Sequence, residues 1–104
     1  MDTIKKLYDV LLSRKEADAG TSYVASLYAK GTVKIVNKVI EESVETGVEA
    51  LNDDKEKLAS ESADLLFHLM VLWAHLGVTP DDVFAVLDKR AGTSGHDEKA
   101  ARTE

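Results

Sequence analysis

The chain of 104 residues is 44% hydrophobic and 31% charged, with one proline, no cysteine and a formal net charge of −6 at pH 7. That length suits a single domain with one modest core, the lack of cysteine excludes disulfides and thiolate metal sites and fits a reducing compartment, and the negative balance argues against a nucleic-acid backbone as partner. The longest apolar run, Leu65 to Leu76, is broken by two histidines and falls short of the roughly 20 residues of a membrane span, while "MDTIKKLYDV" lacks the apolar core of a signal peptide; a cytoplasmic protein with no membrane partner is expected.

Period-2 alternation is absent and the helical period runs throughout, so the expected fold class is all-α. Ile4, Leu7, Tyr8, Leu11 and Leu12 form the stripe of a first helix, which fades by "KEADAG". A short second helix, Tyr23 to Lys30, starts from Thr21 or Ser22 and stops at Gly31. Thr32 then caps a long third helix running to about Leu51. Asp53 with Glu56 resembles a capping box for the fourth, which ends at Gly77 in a left-handed cap.

"TPDD", Thr79 to Asp82, opens a fifth helix with an N-cap threonine, a proline at the first helical position and two acids at the positive dipole end. Val83, Val86 and Leu87 are expected to face inward. From Ala91 onward, "AGTSGHDEKAARTE" has no bulky apolar residue, so residues 1–90 read as the domain and 91–104 as a flexible tail. A chain this small gains by burying surface against a second copy. The architecture expected is a bundle of four to five helices completed as a homodimer.

At about 100° per residue, Val36, Val39, Ile40, Val44, Val48 and Leu51 share one face of the third helix. Glu41, Glu42 and Glu45 lie on the other side, beside Lys34 and Lys38. An ordinary solvated face with Lys38 and Glu42 paired one turn apart accounts for this helix alone. The fourth helix is apolar on nearly every side except for a stripe of Lys57, Glu61, Asp64, His68 and His75, and carboxylates are rarely buried without partners. An antiparallel pairing of E-E-x-x-E with E-x-x-D brings four or five carboxylates together, and their repulsion calls for divalent cations. Oxygen-only ligands suit Mg²⁺ or Mn²⁺. Di-iron bundles use Glu-x-x-His pairs, which are missing here, so His68 and His75 read as core histidines or as supports behind the ligands.

E-E-x-x-E followed by E-x-x-D resembles the metal motif of the MazG-like all-α nucleotide pyrophosphohydrolases. Within that superfamily, "SYVASLYAKGTVKIVNKVIEESVE" and "ESADLLFHLMVLWAHLGVTPDDVFAVLDKR" resemble the phosphoribosyl-ATP pyrophosphohydrolases of histidine biosynthesis, from about Ile4 to Arg90. The resemblance implies hydrolysis of phosphoribosyl-ATP to phosphoribosyl-AMP and pyrophosphate by metal-activated water. It implies Glu42, Glu45, Glu61 and Asp64 as Mg²⁺ ligands (Mn²⁺ a possible substitute) and Glu41 as a further ligand or the group that orients water. Lys30, Lys34 and Lys38 would meet the phosphates, and Arg90 would touch substrate or cap its helix. The family usually has glycine before the paired glutamates where this chain has Ile40, a departure that bears on helix approach and substrate fit.

Two rival readings differ in outcome. A housecleaning pyrophosphohydrolase would use the same cage on free nucleoside triphosphates. A non-enzymatic helical module would only dimerise or bind a partner, and would gain nothing from buried like charges.

Overall fold

The computed structural model describes residues 2–91. Five α-helices follow one another: α1 (Asp2–Ser13), α2 (Tyr23–Lys30), α3 (Thr32–Leu51), α4 (Lys55–Leu76) and α5 (Pro80–Ala91), with a 3-10 turn at Arg14–Glu16. No strand occurs among the described residues, and the all-α expectation holds. Nor is any single described helix long and apolar enough to cross a membrane. Of the expected tail, only Ala91 falls within the described residues, where it closes α5.

Local chemistry sets most of the helix ends. Ser22 accepts from the Ala25 amide to start α2, and Gly31, at φ 94°, lets the chain leave α2 and enter α3 at once. Gly31 therefore takes the N-cap position expected of Thr32; the Thr32 hydroxyl instead meets His75 Nε2 at 3.1 Å. The cap of α4 also moves by one residue, from Asp53 to Asp54, whose carboxylate accepts from the Lys57 amide. Asp53 is left-handed at φ 56° because a connection this short must reverse the chain, and aspartate tolerates that conformation better than most residues. Gly77 ends α4 in the left-handed region at φ 80°. Thr79 and Asp82 then cap α5 reciprocally; the bond from the Thr79 amide, foremost, holds the Asp82 carboxyl below its ordinary value.

Helices α3 and α4 form the long hairpin that dominates the fold. Thr46 meets the Glu61 carbonyl and Thr32 meets His75, with equal spacing on each helix and opposite running directions, so the pair is antiparallel. The core lies at one end of this hairpin: Tyr8 and Leu11 of α1, Val24 and Leu27 of α2, Ile35 of α3, and Met70, Val71 and Ala74 of α4. Burying one such large side chain is worth about 1.5–3 kcal/mol. Two tyrosines fix the layer over it. Tyr8 donates to the Val78 carbonyl (2.7 Å) and Tyr28 to the Leu11 carbonyl (2.7 Å), the latter satisfying an otherwise orphan group at the end of α1.

One expectation about facing, that of Val86 and Leu87, is overturned. Both are exposed on α5, because this short helix packs mainly on α1 and only Val83 and Phe84 are partly covered. The stripe Val36, Ile40, Val44, Val48 and Leu51 of α3 is exposed in the single chain, Leu51 at 90%. Helix α3 lays its Ile35–Glu42 face on its neighbours.

Candidate metal and phosphate site

The antiparallel register places the middle of α3 against the first half of α4, beyond the apolar core. Here Glu42, Glu45 and Glu61 each offer a carboxylate oxygen within 4.8 Å of the others, which is close enough to share one cation. Glu42 is buried, at 8% exposure, Glu61 is partly covered and Glu45 is exposed. The set thus opens outward through Glu45.

Helix geometry produces this grouping directly. Glu42 and Glu45, three residues apart, project from one side of α3, and the register brings Glu61 opposite them. Thr46 pins the crossing. Its hydroxyl lies 2.7 Å from the Glu42 carbonyl and 3.2 Å from the Glu61 carbonyl, and its single proton is shared between the two helices. Nothing in the sequence singled out Thr46, since its role depends on the register between helices.

The charge arrangement is unfavourable as it stands. One carboxylate oxygen of Glu42 and one of Glu61, both Oε2, are buried with no hydrogen-bond partner. Burial is the first cause that pushes the Glu42 carboxyl up to about 7 from an ordinary 4.5. The hydrogen-bonding contact with Glu45 and the charges of Glu45 and Asp64 add to it, and Lys38 opposes it. Glu61 is pushed up as well, by lost solvation first and then by Glu45, Asp64 and Glu49. Such orphaned oxygens cost free energy unless a proton or a cation meets them. The donors are all hard oxygens, so the residues present fit a divalent ion of the Mg²⁺ or Mn²⁺ kind.

The other sequence candidates take varied places. Asp64 is exposed on α4, not hidden among apolar neighbours as expected; it stands beside the trio, close enough to raise both Glu42 and Glu61. Its carbonyl rather than its carboxylate is drawn inward. Glu41 lies outside the trio and pairs with Lys38 at 3.3 Å, so the lysine's ion-pair partner is Glu41 and not Glu42. Lys38 is partly buried at the edge of the cluster, whereas Lys30 and Lys34 are exposed. Arg90 is exposed near the end of α5.

Both internal histidines are satisfied. His68 is buried, with Nδ1 2.8 Å from the Asp64 carbonyl and Nε2 2.8 Å from the Tyr23 hydroxyl. A carbonyl only accepts, so Nδ1 donates there and Nε2 accepts from tyrosine in the neutral ring. His75 meets Thr32 and stacks on Tyr28 with ring centres 5.8 Å apart. Ile40 is 54% exposed and does not press on α4.

A family model described as Phosphoribosyl-ATP pyrophosphohydrolase matches residues 4–91. Among curated relatives, the Phosphoribosyl-ATP pyrophosphatase of Rhodospirillum rubrum is 55% identical over 101 residues, which is 97% of this chain and 86% of the relative. The protein of the same name from Azospirillum brasilense is 54% identical over 95% of this chain and 89% of its own length. That of Paramagnetospirillum magneticum is 52% identical over 97% and 93%.

Proposed function

The chain belongs to the phosphoribosyl-ATP pyrophosphohydrolase family, and from that premise we propose that its α3–α4 carboxylates cleave phosphoribosyl-ATP to phosphoribosyl-AMP and pyrophosphate. The chain is a hydrolase, and this reaction belongs to histidine biosynthesis. The observation that carries the site assignment is the convergence of Glu42, Glu45 and Glu61 with two buried, unpartnered oxygens among them.

In this reading Glu42, Glu45 and Glu61 hold the ion, and Asp64 completes the set from its rim. When bound, an ion of the Mg²⁺ kind supplies positive charge to the phosphate oxygens and makes a water proton easier to lose. The protein's own groups do the rest. Glu42, whose carboxyl is pushed up to about 7 while no ion is bound, would release its proton to solvent as the ion takes that place. Lys38, held at the cluster by Glu41, steadies the polyphosphate, with Lys34 and Lys30 further along the same approach. Arg90 either meets the substrate or caps α5. Glu41, beside Lys38 and outside the trio, is placed to orient water rather than to ligate.

The same premise fits a cytoplasmic enzyme without nucleic-acid or membrane partners, acting as a homodimer through the exposed stripe of α3.

Pyrophosphate release measured in parallel from phosphoribosyl-ATP, ATP and other nucleoside triphosphates tests the assignment. Release from phosphoribosyl-ATP is expected with Mg²⁺ and not with chelator, and ATP is expected to be a poor substrate. Comparable rates on ordinary triphosphates would instead assign the chain to housecleaning hydrolysis.

A further inference from the structure

A hollow separate from the carboxylates takes no part in holding the ion. It opens between the 3-10 turn, the start of α2 and the flank of α4, with a volume of about 470 Å³, and Arg14, Tyr23 and Phe67 are among its walls. That volume is in the range of small-molecule sites.

The aromatic walls are fixed before any ligand arrives. The Tyr23 hydroxyl is bonded to His68 Nε2 at 2.8 Å, and the other ring nitrogen is bonded to the Asp64 carbonyl. Tyr23 and Phe67 both meet the His68 ring edge to face, with centres 5.9 and 5.2 Å away. Tyr23 nevertheless remains 52% exposed, so its ring is held at one edge and open on the hollow. A pocket with immobilised walls loses little entropy on binding.

The hollow also adjoins the phosphate site. Phe67 follows Asp64 by three residues and Glu61 by six on α4, about 4.5 and 9 Å along the axis at 1.5 Å per residue. Lys38 is within electrostatic reach of Tyr23 on one side and of Glu41 and Glu42 on the other. A polyphosphate lying on the carboxylate trio and Lys38 therefore has its far end directed toward Tyr23. Arg14 is exposed there, and the Lys38–Glu41 ion pair does not involve it.

The carboxylates and Lys38 can sense only a triphosphate, which every nucleoside triphosphate carries. Phosphoribosyl-ATP differs from ATP by a second anionic phosphate, borne on the added ribose, and a guanidinium is the side chain best matched to such a group. Building on the reaction proposed above, we infer that the hollow receives the phosphoribosyl end of the substrate. Tyr23 and Phe67 form its walls and Arg14 binds the terminal phosphate. Arg14 is then a specificity-determining residue, remote from the bond that breaks.

Steady-state kinetics of the parent, Arg14→Ala and Arg14→Lys on phosphoribosyl-ATP and ATP with Mg²⁺ test this. Loss of a hydrogen bond to a charged group is expected to raise KM for phosphoribosyl-ATP about 10- to 100-fold in Arg14→Ala. The kcat should change little, because the contact is made equally in the ground and transition states. The ratio of kcat/KM for phosphoribosyl-ATP to that for ATP should fall by the same factor, and Arg14→Lys should recover part of it. That ratio is independent of the fraction of the preparation that is folded. An unaltered KM, or equal losses on both substrates, would overturn the role of Arg14 while leaving the proposed reaction standing. A parent that does not hydrolyse phosphoribosyl-ATP at all would overturn both.

Discussion

Glu42→Gln is expected to abolish Mg²⁺-dependent hydrolysis and, in chelator, to raise the melting temperature. The substitution keeps the shape of a buried side chain and removes the charge that the site accommodates worst, since one Glu42 oxygen has no partner and Glu45 and Asp64 stand close by. Losing one ligand of a shared cation removes an interaction made with the transition state, and a fall of at least about 100-fold in kcat/KM is expected by analogy with other electrostatic contacts at reacting centres. The gain in stability without metal should be of the order of 5 °C, the shift that about 1 kcal/mol produces in a domain this size.

The same change should flatten the pH dependence. The folded Glu42 carboxyl titrates at about 7 and the unfolded one near 4.5. Between those values the folded state holds more protons than the unfolded state, so the stability of the metal-free parent is full below the unfolded value and declines as pH rises through about 7. Glutamine cannot titrate, and the decline should shrink. Mg²⁺ should raise the melting temperature of the parent more than that of the variant, because binding to the folded state stabilises it by mass action. Thermal melts from pH 5 to 8, with chelator and with Mg²⁺, make the comparison. A variant that is equally active and has the same pH slope as the parent would mean that the carboxylates form no cage.

How far the structure could be read from sequence depends on the range of the interactions involved. Helix ends that rest on neighbouring residues were legible: Ser22, Gly31, Gly77 and the Thr79–Asp82 pair behave as their chemistry requires. The slip from Asp53 to Asp54 arose because either aspartate can cap, and only the tight reversal decides which one turns left-handed. Grouping Glu42, Glu45 and Glu61 needed only helical spacing and an antiparallel partner, both suggested by the sequence. The exposure of Asp64, the bridging by Thr46 and the Tyr23–His68 contact all depend on the register between helices, which periodicity does not contain. Periodicity also identified the apolar face of α3 without saying what covers it. The helix turned Glu42 toward α4 and left Val33, Val36, Val44 and Val48 outside.

That outward face carries the second large expected effect. Val33, Val36, Ile40, Val44, Val48 and Leu51 recur every three or four residues along α3, and all are exposed. A helix of 20 residues is about 30 Å long, so the stripe is too extensive an apolar surface to be an incidental scatter of exposed residues. Two copies related by a two-fold axis can cover it with the same residues from each side, and a stable interface needs about 800 Å² per partner.

The parent is therefore expected to sediment as a dimer at micromolar concentration. Val44, near the middle of the stripe, is 61% exposed in the single chain. Val44→Glu places two like charges in the centre of the symmetric interface, and a desolvated, unpaired charge there costs about 2–5 kcal/mol. Dimer dissociation should be favoured at least about 30-fold by the lower of those figures, whereas the helical content of the monomer should survive. Analytical ultracentrifugation across a concentration series, alongside circular dichroism, separates the cases. A parent that remains monomeric, or a Val44→Glu variant that dimerises as tightly as the parent, would show that the α3 stripe is not where two copies meet.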